Sequence, residues 1–162
     1  MYKDMITKKD LEGKYVFWDI DGTLAPYRFN GHVSSPDGSS HGMSEQEINE
    51  GVFLTRKPSK FMQNVVSTCQ SKKNIILGHY LTKKEIEDKH IWLNTHFPNI
   101  LERFFVPTSI SKADIILKYC EQNNINLKDV IFVDDTAAII KEAEKKGISS
   151  WHISSFLDWN MT

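Results

Sequence analysis

Five short apolar runs, separated by stretches with the period of an α-helix, constrain this chain more than any other feature. The runs are "YVFWDI" (15–20), "NIILG" (74–78), "RFFVP" (103–107), "DVIFVDD" (129–135) and "SSWHIS" (149–154). Between them, "SKFMQNVVSTCQ" brings Phe61, Val65, Val66 and Cys69 to one face, and "SKADIILKYCEQ" does the same with Ile115, Ile116, Tyr119 and Cys120. "TKKEIEDKHIWLNTHF" offers Ile86, Trp92 and Leu93, with Ile91 less regularly placed. "TAAIIKEAEKKG" closes on Gly147 after a lysine pair, which suits the end of a helix. Strand–helix alternation of this kind predicts an α/β fold built on a doubly wound parallel sheet. With 162 residues the chain has room for one domain, 1–162, with a real core.

In such a sheet, ligands bind beyond the carboxyl ends of the strands. The polar residues that close each run therefore carry the functional signal. The first run ends in Asp19 and Asp21, one residue apart at a glycine turn. Two such carboxylates share a small pocket cheaply only with a cation or a proton between them. The second run ends in Gly78 and His79, the third leads into Ser109, Ser111 and Lys112, and the fourth ends in Asp134 and Asp135. Four carboxylates and a lysine thus gather at one sheet edge. Oxygen ligands of this kind suit Mg²⁺, which takes few protein carboxylates and completes its shell with water and substrate phosphate. Once the cluster is neutralised, one aspartate can attack phosphorus while another moves a proton.

The formal net charge is −1, which provides no field to recruit nucleic acid or an anionic membrane, though a small phosphorylated substrate remains compatible with it. No apolar run approaches the length of a membrane span, and "MYKDMITKKDLEGK" lacks the apolar core of a secretory signal. Cys69 and Cys120 are expected as reduced packing residues, and a cytoplasmic location follows. Residues 30–44, rich in Ser, Gly and His, form a candidate lid within an insert spanning 25–57 after the first strand. His32 and His41 in that loop are expected to be solvated, and His90, His96 and His152 structural or at the surface. No zinc-site spacing links the histidines and cysteines.

"DIDGTL" (19–24), the lysine of "SKAD" (111–114) and "VIFVDDT" (130–136) resemble the haloacid dehalogenase superfamily of aspartate-nucleophile phosphohydrolases, over nearly the whole chain from Tyr15 to Trp159. The resemblance implies a three-layer sheet in the order 5-4-1-2-3 without a large cap. It implies Asp19 as the nucleophile of an aspartyl-phosphate, Asp21 as the proton donor and then the activator of water, and Lys112 as the stabiliser of the phosphoryl group. Mg²⁺ would be held by Asp19, the Asp21 carbonyl, Asp135 and, secondarily, Asp134. Narrower similarity of "GVFLTRKP", "HIWLNTHFP" and "FFVP" to small phage- and Firmicute-type relatives of the 5′(3′)-deoxyribonucleotidases suggests nucleoside monophosphates as substrates, with Phe53 lining the nucleoside pocket. Gly78 departs from the family, which has Ser or Thr there. Backbone groups of Gly78 and His79, or the His79 ring, would have to meet phosphate instead. Two functions follow from this: a Mg²⁺-dependent phosphomonoester hydrolase, or a catalytically weakened phosphate-binding or regulatory protein on the same fold. A receiver domain is excluded, because its phospho-accepting aspartate would close the third run, and "FFVPTS" has none. No oligomeric state follows from the sequence.

Overall fold

Each apolar run becomes a strand. The computed structural model describes residues 5–26 and 44–159. Strands β1 (Tyr15–Trp18), β2 (Lys73–Tyr80), β3 (Glu102–Pro107), β4 (Val130–Asp134) and β5 (Ser149–His152) form one sheet in the order β3-β2-β1-β4-β5, all pairs parallel. This is the expected order read from its other end. β1 is central, with Trp18 in register with Ile76 on one side and Val133 on the other. Because strand side chains alternate, Val16 and Trp18 join a core that includes Met62, Trp92, Phe156 and Trp159. Phe17 joins the opposite core with Ile116, Tyr119, Phe132 and Ala143. Helices cover both faces, and among the described residues no large cap domain is present and no helix is long and apolar enough to cross a membrane.

The helices are α1 (Lys8–Leu11), α2 (Glu45–Asn49), α3 (Lys60–Thr68), α4 (Lys83–His96), α5 (Lys112–Asn123) and α6 (Ala137–Lys145). Oxygen-bearing side chains cap most of them: Ser59 accepts from the Met62 N–H, Thr82 from Glu85 and Ser111 from Asp114. At the far end of α6, Gly147 takes a positive φ of 83°, the left-handed residue expected there. Cys69 and Cys120 are buried free thiols. Of the insert, residues 44–57 comprise α2, started by a Ser44–Glu47 capping box, and a 3-10 turn over Val52–Thr55. The lid expected at 30–44, with His32 and His41, falls, apart from Ser44, outside the described residues.

Two expectations need correction. The buried face of α4 is not its isoleucines: Ile91 is 54% exposed, while Glu85, Asp88 and Lys89 are buried beside Trp92 and Leu93. The helix lies over the 3-10 turn of the insert, so its inner face meets charged partners as well as core. In addition, β2 does not stop at Gly78. Pairing with β3 continues through His79–Val106 to Tyr80–Pro107. Gly78 therefore lies inside the strand, and a Cβ added there would meet Ile20 Cδ1 at 3.4 Å and Phe105 Cδ1 at 3.5 Å. A single methyl fits in ordinary van der Waals contact, and a branched side chain does not. Gly78→Ala is thus expected to leave stability unchanged or raise it by up to about 1 kcal/mol. Gly78→Thr should lower it by about 1–3 kcal/mol through overpacking. Urea unfolding of the two variants checks the pair.

Candidate active site

The acidic pair owes its direction to the pleat of β1 and the turn that follows. The Asp19 N–H still donates to the Val133 carbonyl at 3.0 Å, as a continuation of the ladder to β4. Gly22, at φ 76°, then lets the chain fold back, so that the Ile20 carbonyl accepts from the N–H groups of Thr23, Leu24 and Ala25. Ile20 is driven into the core, fully buried, and both flanking acids face the other way. Asp19 and Asp21 line one cavity of about 670 Å³, together with His79, Tyr80 and Leu81 after β2, Thr108–Lys112 after β3, and Asp134–Thr136 after β4. The opening lies at the carboxyl edge of the sheet, where the order of strands requires it.

Lys112, the first residue of α5, joins two of the strands. Its ammonium donates to Asp19 Oδ1 at 2.5 Å and to Asp134 Oδ2 at 2.7 Å, and all three groups are buried. Burial alone would lower the lysine, but the two aspartates outweigh it and hold Lys112 firmly protonated. Asp19 has the opposite fate: burial pushes its carboxyl up to about 8 against the pull of Lys112, with the Asp134 and Asp21 charges adding to the rise. Asp134 accepts on both oxygens, from Lys112 and, at 2.8 Å, from the Thr136 N–H. Asp135 is only partly buried, and the Thr136 hydroxyl reaches it at 3.2 Å. Carboxylate oxygens of Asp19, Asp134 and Asp135 lie within 4.8 Å of one another. That compares with about 4.2 Å across the oxygen shell of one Mg²⁺.

Asp21 sits in a different field. Burial would raise it, yet Lys89 and Arg56 beside it hold its carboxyl well below the usual carboxylate range. Lys89 Nζ lies 2.6 Å from one oxygen, and Arg56 donates to the other at 2.5 Å. Neither cation stands out in the sequence as a partner of Asp21. Arg56 turns inward, donating also to the Ala25 carbonyl at 2.5 Å and the Pro26 carbonyl at 3.2 Å. One signal for Lys89 was available: Glu85, Asp88, Lys89 and Trp92 share one helical face, and the tryptophan marks that face as the inner one. Among the described residues, the linked cluster sets five carboxylates (Asp19, Asp21, Glu85, Asp134, Asp135) against three cations (Arg56, Lys89, Lys112). With Asp19 ionised, the excess matches the charge of one divalent ion, and the donor set, all oxygen, fits magnesium.

The residues expected to bind phosphate are placed less simply. Gly78 is not among the cavity-lining residues. His79 lines the cavity, but its Nε2 lies 2.9 Å from the Ile110 carbonyl, so that nitrogen carries the proton and donates it to the chain. Burial and the nearby Lys112 charge keep the ring below its usual pKa, leaving Nδ1 an acceptor and not a donor for phosphate. Phe53 is fully buried and does not line the cavity; its ring packs edge-on against Trp92 and lies under Arg56 and Lys89.

No family profile matches the chain, and no curated protein matches it in sequence. Solved structures do. A haloacid dehalogenase-like family hydrolase from Streptococcus pneumoniae superposes with a TM-score of 0.53 at 16% identity, covering 85% of this chain and 82% of its own. An enzyme of that family from Bacteroides thetaiotaomicron, in complex with magnesium and inorganic phosphate, superposes with 0.55 at 12% identity over 85% of this chain and 92% of its own. The N-terminal part of a Bacteroides fragilis protein, containing a phosphatase domain complexed with magnesium, gives 0.51 at 16% over 88% of this chain and 36% of its own. At these identities the likeness establishes the fold, that of the haloacid dehalogenase-like hydrolases.

Removing the cation that Asp19 and Asp134 share leaves two buried carboxylates without a counter-ion. Lys112→Met is therefore expected to destabilise the metal-free protein by about 3–5 kcal/mol, read by urea unfolding above pH 8, where Asp19 is ionised as long as Lys112 is in place. A loss below about 1 kcal/mol would be that of a surface pair and would contradict the buried bridge.

Proposed function

We propose that this protein is a Mg²⁺-dependent phosphomonoester hydrolase that works through an aspartyl-phosphate on Asp19, with nucleoside monophosphates as candidate substrates. The observation that carries this is the meeting of Asp19, Lys112, Asp134 and Asp135 in one cavity, drawn from three separate strand ends. Asp19 and Asp135 would hold the metal with the Asp21 backbone carbonyl, and Asp134, saturated by Lys112 and Thr136, would support it from behind. Magnesium, when bound, neutralises the phosphoryl oxygens and orients them.

Asp19 Oδ attacks phosphorus, forming the acyl-phosphate bond as the ester P–O bond breaks. Lys112 compensates the charge gathering on the phosphoryl oxygens. The leaving oxygen takes its proton from Asp21. Since Lys89 and Arg56 hold Asp21 ionised at rest, that proton arrives with a singly protonated phosphate, whose second pKa is about 6. Asp21, again a carboxylate, then takes a proton from water. That water attacks phosphorus as the P–O bond to Asp19 breaks, and Asp21 passes its new proton to the departing phosphate, so that both carboxylates are restored. Hydroxyls of Thr108 and Ser109, which line the cavity, stand in for the missing strand-two hydroxyl. The fold shared with magnesium-holding structures supports the reading, and the buried thiols suit a cytoplasmic location.

Phosphate release from a panel of monoesters, including 3′- and 5′-nucleotides, tests the activity. Turnover should require Mg²⁺ and fall by at least about a thousandfold in Asp19→Asn. Binding of Mg²⁺ and phosphate without any turnover would favour the weakened phosphate-binding alternative. The raised Asp19 carboxyl adds a second expectation. Below about pH 8 a proton occupies a ligand oxygen and has to leave when metal binds, so Mg²⁺ affinity should strengthen as pH rises to about 8 and then level off. Calorimetry in buffers of different ionisation heat should show close to one proton released per ion near pH 6.5. An affinity flat across that range, with no proton released, would overturn the protonated resting state of Asp19.

A further inference from the structure

Lys89 is a fully buried lysine on α4 that sequence reasoning passed over. An ammonium has three N–H donors, and each has a partner here. They reach Asp21 Oδ2 at 2.6 Å, the His79 carbonyl at 2.8 Å and Glu85 Oε1 at 2.6 Å. The other Glu85 oxygen accepts from the Leu81 N–H at 2.7 Å. One cation therefore ties together the turn after β1, the end of β2 and the first turn of α4, and through Glu85 it reaches the cavity-lining stretch from His79 to Leu81. Stability alone does not account for such a group, since well-packed apolar side chains in place of Lys89 and its carboxylate partners together would leave the fold about as stable or more so.

We propose that Lys89 is a positioning residue for Asp21, the group that moves the proton in the reaction proposed above. With Lys89 on one carboxylate oxygen and Arg56 on the other, the plane of the Asp21 carboxyl is pinned at both ends. Each oxygen keeps a further lone-pair site, and the side chain retains 15% exposure, towards the cavity it lines. Phe53 is the floor beneath both cations, 5.3 Å from Lys89 Nζ and 5.2 Å from the Arg56 guanidinium carbon. Its part is thus to fix where the cations stand, which explains a buried aromatic so near the site. Asp19 and Lys112 do not touch Lys89, so the nucleophile and its counter-ion keep their geometry when Lys89 changes.

The inference rests on the phosphohydrolase reading, and a double-mutant cycle separates the two. Wild type, Lys89→Met, Asp21→Asn and the double variant are assayed on p-nitrophenyl phosphate, whose leaving group needs little help from an acid, so that the rate reads Asp21 as the base that activates water on the aspartyl-phosphate. Mg²⁺ binding to each protein serves as the control for an intact site. If Lys89 acts through Asp21, Lys89→Met lowers kcat by about a hundredfold in the wild-type background. In the Asp21→Asn background it should then lower kcat by less than about threefold. An equal loss in both backgrounds overturns the positioning role and leaves the hydrolase reading standing. Absence of Mg²⁺-dependent turnover in the wild type overturns the hydrolase reading, and the inference with it. Should Lys89→Met fail to fold, Lys89→Arg keeps the buried charge but cannot repeat all three contacts, and the same cycle is read with it.

Discussion

The Lys112 ammonium, buried between Asp19 and Asp134, is the contact on which the rest of the site depends. Two carboxylates at adjacent strand ends would repel strongly in a low-dielectric interior, and neither could stay buried alone. The lysine brings them together, and so ties the central strand β1 to β4 through the first residue of α5. The arrangement requires β1 to be central and α5 to begin at the same edge, which the sheet order provides. The compensation is deliberately incomplete in charge: the linked carboxylates outnumber the cations, and the remainder is what a divalent ion neutralises.

A second set of contacts gives the other acid a different character. Arg56, on the segment that returns from the insert, and Lys89, on α4, grip opposite oxygens of Asp21. Trp92 steadies the arrangement from below, its indole N–H donating to the Arg56 carbonyl at 2.8 Å while its ring packs on Phe53. The same guanidinium, near the end of the insert, holds the backbone at its start through the carbonyls of Ala25 and Pro26. Two aspartates separated by one residue therefore end with carboxyls shifted in opposite directions, Asp19 up and Asp21 down. Environments that push a pair of acids apart in this way leave them in different protonation states at one pH.

The cavity beyond the acids has a mixed wall. Tyr80, Leu81, Ile110 and Ile48 supply apolar surface, and Thr108 and Ser109 supply hydroxyls. His79 contributes shape and a tether to the Ile110 carbonyl instead of a donor. At the rim, Glu142 and Lys146 pair with each other and with Ser111, which caps α5. That network holds the start of α5, and with it the position of Lys112.

Much of this was readable in the chain itself. Strands and helices follow from side-chain period, and period is a local property, so the five runs and the helices between them fell within a few residues of their places. Strand ends collect ligands, so Asp19, Asp21, Lys112, Asp134 and Asp135 could be named before any coordinate. Gly78 and Phe53 were named too, but the structure puts one inside β2 and the other under two cations, because strand pairing and packing depth depend on neighbours far along the chain. Lys89 and Arg56 were missed as partners of Asp21 for the same reason, lying 68 and 35 residues from it. On sequence, a lysine in a charged helical stretch is a solvated face. Only the tertiary fold turns that face inward, where an ammonium without partners would be too costly to bury and one with three partners becomes a fixed point.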